Sequence, residues 1–193
     1  MQIHSAILAG GKSSRYGGFN KAYILIKGQR IIDRNISDLK ELFPVISIVT
    51  NSPNQFSDYS DFPMSSDYYK EIGPLAGIHS ALKNTSANAV FISSCDMPFL
   101  NVDIINKILE IGKSNNYQVI VPRWNGQIEP LHALYHESVL PPLESYIKNN
   151  ANRSVHKFLK TINCFLLDLD SNMITEKAFA NINSETDLDS ISG

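Results

Sequence analysis

Hydrophobic positions along the chain follow two periods, short apolar runs alternating with longer stretches in which apolar residues return every three or four places. Residues 5–9 read as a strand that ends in a glycine-rich segment, 10–20. Residues 22–26 read as a second strand, stopped by Lys27-Gly28-Gln29. Ile31, Ile32, Ile36, Leu39 and Leu42 then fall at helical spacing, and Pro44 closes that helix. Residues 45–50 form the next strand, followed by a polar loop through Asn51, Pro53 and Asn54. Gly73-Pro74 opens a helix reaching Lys83, with proline at a first position where its missing N–H costs nothing. Residues 89–94 are the clearest buried strand, and they deliver Cys95-Asp96-Met97-Pro98. Asn101 is placed to cap a helix carrying Ile104, Ile105, Ile108 and Leu109. Residues 118–122 and 131–135 are strands flanking a tight turn at Asn125-Gly126. Helices are expected at 139–148 and 154–159, a strand at 165–169 and a last helix after Ser184. Strands alternating with helices predict an α/β fold with a mainly parallel sheet, and the absence of repeats or linkers predicts a single domain over 1–193.

Composition agrees with a folded chain, since 43% hydrophobic and 19% charged residues exclude disorder and coiled coil. A formal charge of -2 supplies no global basic field for nucleic acid or an anionic membrane, so neither is an expected partner. The charge is uneven, however. No Asp or Glu precedes Asp33, whereas Lys12, Arg15, Lys21, Lys27 and Arg30 all do; beyond Lys160 the balance reverses. Cys95 and Cys164 cannot build a disulfide scaffold and lie in no CxxC pair, which points to a reducing cytoplasm. The apolar run at 6–9 is too short for a signal segment or a membrane span.

In an open α/β sheet, ligands bind beyond the C-terminal ends of strands, and two such ends carry chemistry. The first is LAGGKSSRYGGFNK, residues 8–21. Its glycines let backbone N–H groups approach phosphate oxygens, its hydroxyls add donors, and Lys12, Arg15 and Lys21 bring charge with no carboxylate beside them. A Walker loop ending at Gly11-Lys12-Ser13 would need glycine at Ala6, and a Rossmann G-x-G-x-x-G fails at Lys12. The segment is a polyphosphate cradle of another kind. The second end is Asp96, after the buried strand. Polyphosphate chemistry needs a divalent cation, and Mg²⁺ takes only one or two protein carboxylates, so Asp96 is the best-placed ligand.

These motifs, with GPLAG at 73–77, CDMP at 95–98, EPLHALY at 129–135 and FANIN at 179–183, resemble the molybdenum cofactor guanylyltransferases of the nucleotidyltransferase superfamily. The resemblance spans almost the whole chain in order, and GPLAG narrows it toward the guanylyl branch. It implies a Rossmann-like three-layer α/β/α fold of the nucleotide-diphospho-sugar transferase type. It also implies transfer of GMP from GTP to molybdopterin, with Mg²⁺, and transient contacts with proteins that insert the cofactor. By motif, Leu8, Ala9, Gly10 and Gly11 hold the nucleotide, Arg15 and Lys21 contact its phosphates, Asn51 and Asp67 bind the guanosine part, and Asp96 binds the metal. Tyr16 and Asn20 stand where the family usually has methionine and aspartate, leaving the loop without its usual acid.

Other signals are weaker. His132 and His136 share a face if their segment is a strand, but no carboxylate motif accompanies them as a zinc site requires. Cys95 reads as a small buried residue rather than a nucleophile. Asn181 and Asn183 are turn residues or contacts on the pyrophosphate and metal side. Arg153-Ser154, entering a short helix, is either a surface feature or a site for the phosphate of molybdopterin. A cytidylyltransferase acting on molybdopterin or a sugar phosphate is the rival enzyme, and a nucleotide-binding regulatory protein the rival of another class.

Overall fold

The computed structural model describes residues 1–10, 20–151 and 153–182. Its strands are β1 (Ile3–Leu8), β2 (Leu25–Ile26), β3 (Gln29–Arg30), β4 (Ile46–Val49), β5 (Met64–Ser65), β6 (Ala89–Ser94), β7 (Val119–Trp124), β8 (Gln127–Ile128), β9 (His132–His136) and β10 (Cys164–Asp168). The helices are α1 (Ile31–Lys40), α2 (Pro74–Lys83), α3 (Val102–Ser114), α4 (Leu140–Asn149), α5 (Val155–Leu159) and α6 (Met173–Ala178). Among the described residues, eight strands make one sheet in the order β10-β7-β9-β6-β1-β4-β5, with β8 attached to β7. β1 is central and pairs in parallel with β4 and β6; in the main order only β9 runs against its neighbours.

Both faces of this sheet are covered, which is why β1 and β6 are buried at every position. Successive side chains leave on opposite faces. Ile3 and Ile7 of β1 and Phe91 of β6 join a core under α1 and α3, with Ile32, Ile36, Ile105 and Ile108. Ala6, Leu8, Val90 and Ile92 point the other way, against Leu75, Ile78 and Leu82 of α2, Leu143 of α4 and Phe158 of α5. The result is a three-layer α/β/α arrangement with a mainly parallel sheet. Among the described residues no helix is long and apolar enough to cross a membrane.

Local chemistry sets the boundaries. Asn101 caps α3 by accepting from the Ile104 N–H at 3.0 Å, and Pro74 opens α2. Gly73 before it has φ of +73°, a conformation that suits glycine and aims the chain into the helix. Asn125 and Gly126, at φ of +46° and +73°, make the tight turn from β7 to β8.

Three expectations change. Residues 22–26 are not one strand: the Asn20 side chain accepts from the Ala22 N–H at 3.1 Å and winds Lys21–Tyr23 into a 3₁₀ turn, leaving only β2 to pair with β3. The polar loop after β4 winds into 3₁₀ turns over Pro53–Tyr59, because Phe56 and Tyr59 are buried against the core. α6 was not expected, since Met173 and Ile174 face solvent and blur the apolar period. Its start is a capping box in which Asn172 and Thr175 satisfy each other's backbone N–H groups. The helix expected after Ser184 lies outside the described residues.

Candidate functional site

The C-terminal ends of β4, β1, β6 and β7 open on one edge of the sheet, and the candidate side chains Lys21, Asn51, Asp67 and Asp96 gather there. β1 ends at Leu8. Leu8 and Ala9 are buried, the Ala9 N–H donates to the Val49 carbonyl at 2.9 Å, and the Leu8 carbonyl accepts from the Cys95 N–H at 3.2 Å. These two residues therefore fix where the glycine loop starts. Gly10 follows them in the open; Gly11, Lys12, Arg15 and Tyr16 lie outside the described residues.

Lys21, beyond the glycine-rich segment, lies at the end of β6. Lys21 Nζ is 3.5 Å from Asp96 Oδ2, both side chains being a little under a third exposed. Ser94 Oγ donates to Asp96 Oδ1 at 2.5 Å, and the Ile182 N–H donates to the Asp96 carbonyl at 2.9 Å. Asp96 is thus clamped from three directions with its carboxylate still open to solvent. Asn20 positions Lys21: its carbonyl caps the 3₁₀ turn, and its amide donates to Gln55 Oε1 at 3.1 Å. An amide here performs the capping an aspartate would, so the departure at Asn20 leaves Lys21 in place. Of the other cations before Asp33, Arg30 is tied to Asp58 at 2.8 Å and lies over the Tyr23 ring.

On the other side of β1, Asn51 and Asp67 meet in a reciprocal pair. Asn51 Nδ2 donates to Asp67 Oδ2 at 2.6 Å, and the Asp67 N–H donates to Asn51 Oδ1 at 3.0 Å. Both are exposed or nearly so, at the ends of β4 and β5. Ser66 and Ser80 hold the segment: Ser66 Oγ donates to the Thr50 carbonyl, and Ser80 Oγ donates to the Ser66 carbonyl. Gly77 lets α2 lie on the end of β1, since a Cβ there would sit 3.0 Å from Leu8 Cδ1.

Toward β7 and β10 the edge opens into a cleft of about 1260 Å³, lined by Asp96, Asn181, Glu129, Arg123, Arg153 and Lys160 among others. Arg123 is already spanned by both carboxylate oxygens of Asp168, at 2.6 and 2.8 Å. Glu129 Oε1 accepts from Trp124 Nε1 at 3.3 Å. Burial raises the Glu129 pKa above the usual carboxylate value; the Trp124 hydrogen bond opposes that and the Asp96 charge adds to it.

A model of the family described as the MobA-like NTP transferase domain matches residues 5–163. The chain belongs to this family. A probable molybdenum cofactor guanylyltransferase of Clostridium perfringens is 36% identical over 161 residues, 83% of this chain and 76% of that protein. A molybdenum cofactor guanylyltransferase of Syntrophotalea carbinolica is 33% identical over 84% of this chain and 76% of its own. The solved structure of molybdopterin-guanine dinucleotide biosynthesis protein A from Archaeoglobus fulgidus aligns with a TM-score of 0.80 over 100% of this chain and 97% of its own. At 23% identity that likeness concerns the fold, which is the nucleotide-diphospho-sugar transferase fold.

The chain is therefore a nucleotidyltransferase, and its donor set can be weighed against a divalent cation. Asp96 offers a carboxylate already held by Ser94, and Asn181, whose neighbour Ile182 donates its N–H to the Asp96 carbonyl, is an amide residue lining the same cleft. Among the described residues no three His, Cys, Asp or Glu side chains gather as a metal cage. A carboxylate and an amide suit Mg²⁺, whose remaining positions go to phosphate oxygens and water.

The sequence-predicted residues fall in three places. Lys21 and Asp96 come together; Asn181 and Arg153 line the cleft that Asp96 borders; Asn51 and Asp67 pair beyond β1. Asn183 lies outside the described residues. His132 and His136 are not a pair of ligands. His132 is buried edge-on between the rings of Phe91 and Phe179, and burial pushes its pKa down to about 4; His136 binds Ser138 at the opposite end of β9. Cys95 is a thiol pushed up to about 12 by burial, with the Asp96 charge adding to it, and is no nucleophile. Glu129 was missed as an individual residue: its signal is a lone acid following a tight hairpin turn, which alone predicts nothing about a cleft.

Proposed function

We propose that this nucleotidyltransferase moves GMP from GTP to the terminal phosphate of molybdopterin, forming molybdopterin guanine dinucleotide and pyrophosphate with Mg²⁺. The observation that carries the reading is the Lys21–Asp96 pair, standing between the Asn51–Asp67 pair on one side and the cleft on the other. The names of the guanylyltransferase relatives support the choice of nucleotide and acceptor.

The acceptor phosphate is a monoester with a second pKa near about 6, so it is largely ionised at neutral pH and needs no protein base. One of its oxygens bonds to the α-phosphorus as the bond from that phosphorus to the bridging oxygen of the β-phosphate breaks. The electron pair leaves with pyrophosphate. Lys21 neutralises charge that grows on the phosphates, and Arg15, from the same loop, is assigned to the same work. Asp96 and Asn181 would hold Mg²⁺, which when bound offsets negative charge on the phosphate oxygens. Asn51 and Asp67 face the guanosine, while Gly10 and Gly11 allow backbone to approach the phosphates, beyond the anchor set by Leu8 and Ala9. Arg153 stands on the acceptor side. The reaction belongs in the cytoplasm, where Cys95 and Cys164 remain free thiols and proteins that insert the cofactor can take the product.

Thermal shift with each of the four nucleoside triphosphates tests the donor. GTP should raise Tm most, Mg²⁺ should add to that rise, and Asp96→Asn should erase the added part. Stabilisation by CTP in place of GTP would assign the chain to cytidylyl transfer.

A further inference from the structure

We propose that Glu129 reads the acceptor, its carboxylate accepting from the adjacent amino and ring N–H groups on the pyrimidine edge of a pterin. The inference rests on molybdopterin as the acceptor and names the residue that recognises its heterocycle.

Three observations lead to it. Glu129 lies in the cleft with Asp96, on the side of Asp96 away from the Asn51–Asp67 pair, where the acceptor must extend once its phosphate is at the reaction centre. Its side chain is fixed. Trp124 donates to one oxygen and is itself stacked on Phe179, at a ring separation of 5.9 Å and an interplanar angle of 25°. The backbone is fixed too, since the Glu129 N–H donates to the Pro122 carbonyl and the Glu129 carbonyl accepts from the His132 N–H, each at 3.0 Å. Finally, a half-buried carboxylate facing Asp96 repels anions, so the part of the acceptor beside it must be neutral and rich in donors. Molybdopterin offers one such part. The metal-dithiolene group is anionic and suits Arg153 and Lys160 on the same cleft. The 2-amino-4-oxo pyrimidine edge instead presents two adjacent donors, which match two carboxylate oxygens.

Guanine carries the same edge. The product joins one guanine to one pterin, and among the described residues Asp67 beyond β1 and Glu129 in the cleft place a carboxylate on either side of Asp96.

The test is calorimetric titration of the full chain with 6-hydroxymethylpterin and with 6-hydroxymethyllumazine, in which a carbonyl replaces the 2-amino group. The wild type should prefer the pterin, and Glu129→Gln should weaken pterin binding roughly tenfold to a hundredfold, as expected for a hydrogen bond to a charged group. Gln keeps an oxygen for Trp124, so the fluorescence of this only tryptophan and the thermal shift with GTP should match wild type. Equal binding of the two probes by wild type, binding of neither, or unchanged pterin affinity in Glu129→Gln overturns the inference. A wild type that discriminates between the probes yet transfers no GMP to molybdopterin overturns the proposed reaction and not the recognition.

Discussion

Lys21 reaches Asp96 because a single amide shapes the chain just before it. Asn20 winds three residues into a 3₁₀ turn and ties that turn to Gln55, while Tyr23 OH donates to the Gln55 carbonyl from the same turn. The ammonium is therefore held beside Asp96, where the proposed reaction would develop charge, rather than recruited from solvent. Removing it should damage the transition state more than the bound ground state. Lys21→Ala is expected to lower kcat by about a hundredfold or more, the scale for losing one preorganised electrostatic partner. The GTP dissociation constant, measured by calorimetry, should rise less than about tenfold. Equal losses in kcat and affinity would make Lys21 a binding residue only.

At the scale of the element, β9 shows how a buried strand imposes a pH limit. His132 is wholly buried, its ring nitrogens meet no hydrogen-bond partner among the described residues, and its pKa falls from 6.5 to about 4. The folded state keeps the ring neutral, whereas the unfolded chain protonates it as pH falls below 6.5. Stability is therefore lost on acidification through the window from 6.5 down to 4, by roughly 2 kcal/mol between pH 7 and pH 5. In His132→Phe or His132→Leu this contribution disappears. Between pH 7 and pH 5 the wild-type Tm should fall about 5 °C further than that of either variant, and parallel falls would show that His132 does not titrate on unfolding. The same scale separates what the amino-acid order discloses from what it hides. β6, the Asn101 cap and Pro74 are legible because each rests on neighbouring residues: an unbroken apolar run, an Asn before a periodic helix, a proline at a helix start. The Lys21–Asp96 contact joins residues far apart in the chain, and only the parallel pairing of β1 with β6 brings them to one edge. Glu129 becomes meaningful only when β7, β8 and β9 fold back on that edge, and α6 hides behind two exposed apolar residues at its start.

Across the whole molecule, sheet order becomes function. From β5 to β10 the edge runs through the Asn51–Asp67 pair, the start of the glycine loop, the Lys21–Asp96 pair and the cleft with Glu129 and Arg153. In the proposed reaction donor and acceptor would approach the central pair from opposite sides, the geometry required for in-line transfer. The near-neutral total of -2 conceals this division, because Lys21 comes from the acid-free opening and its carboxylate partner comes from β6. Transfer of isotope from labelled GTP to molybdopterin tests the account most directly. Label in the α-phosphate should appear in the molybdopterin dinucleotide in the presence of Mg²⁺, and label in the γ-phosphate should appear only in pyrophosphate. Label from the γ-phosphate in the acceptor, or efficient transfer from CTP with none from GTP, would contradict it.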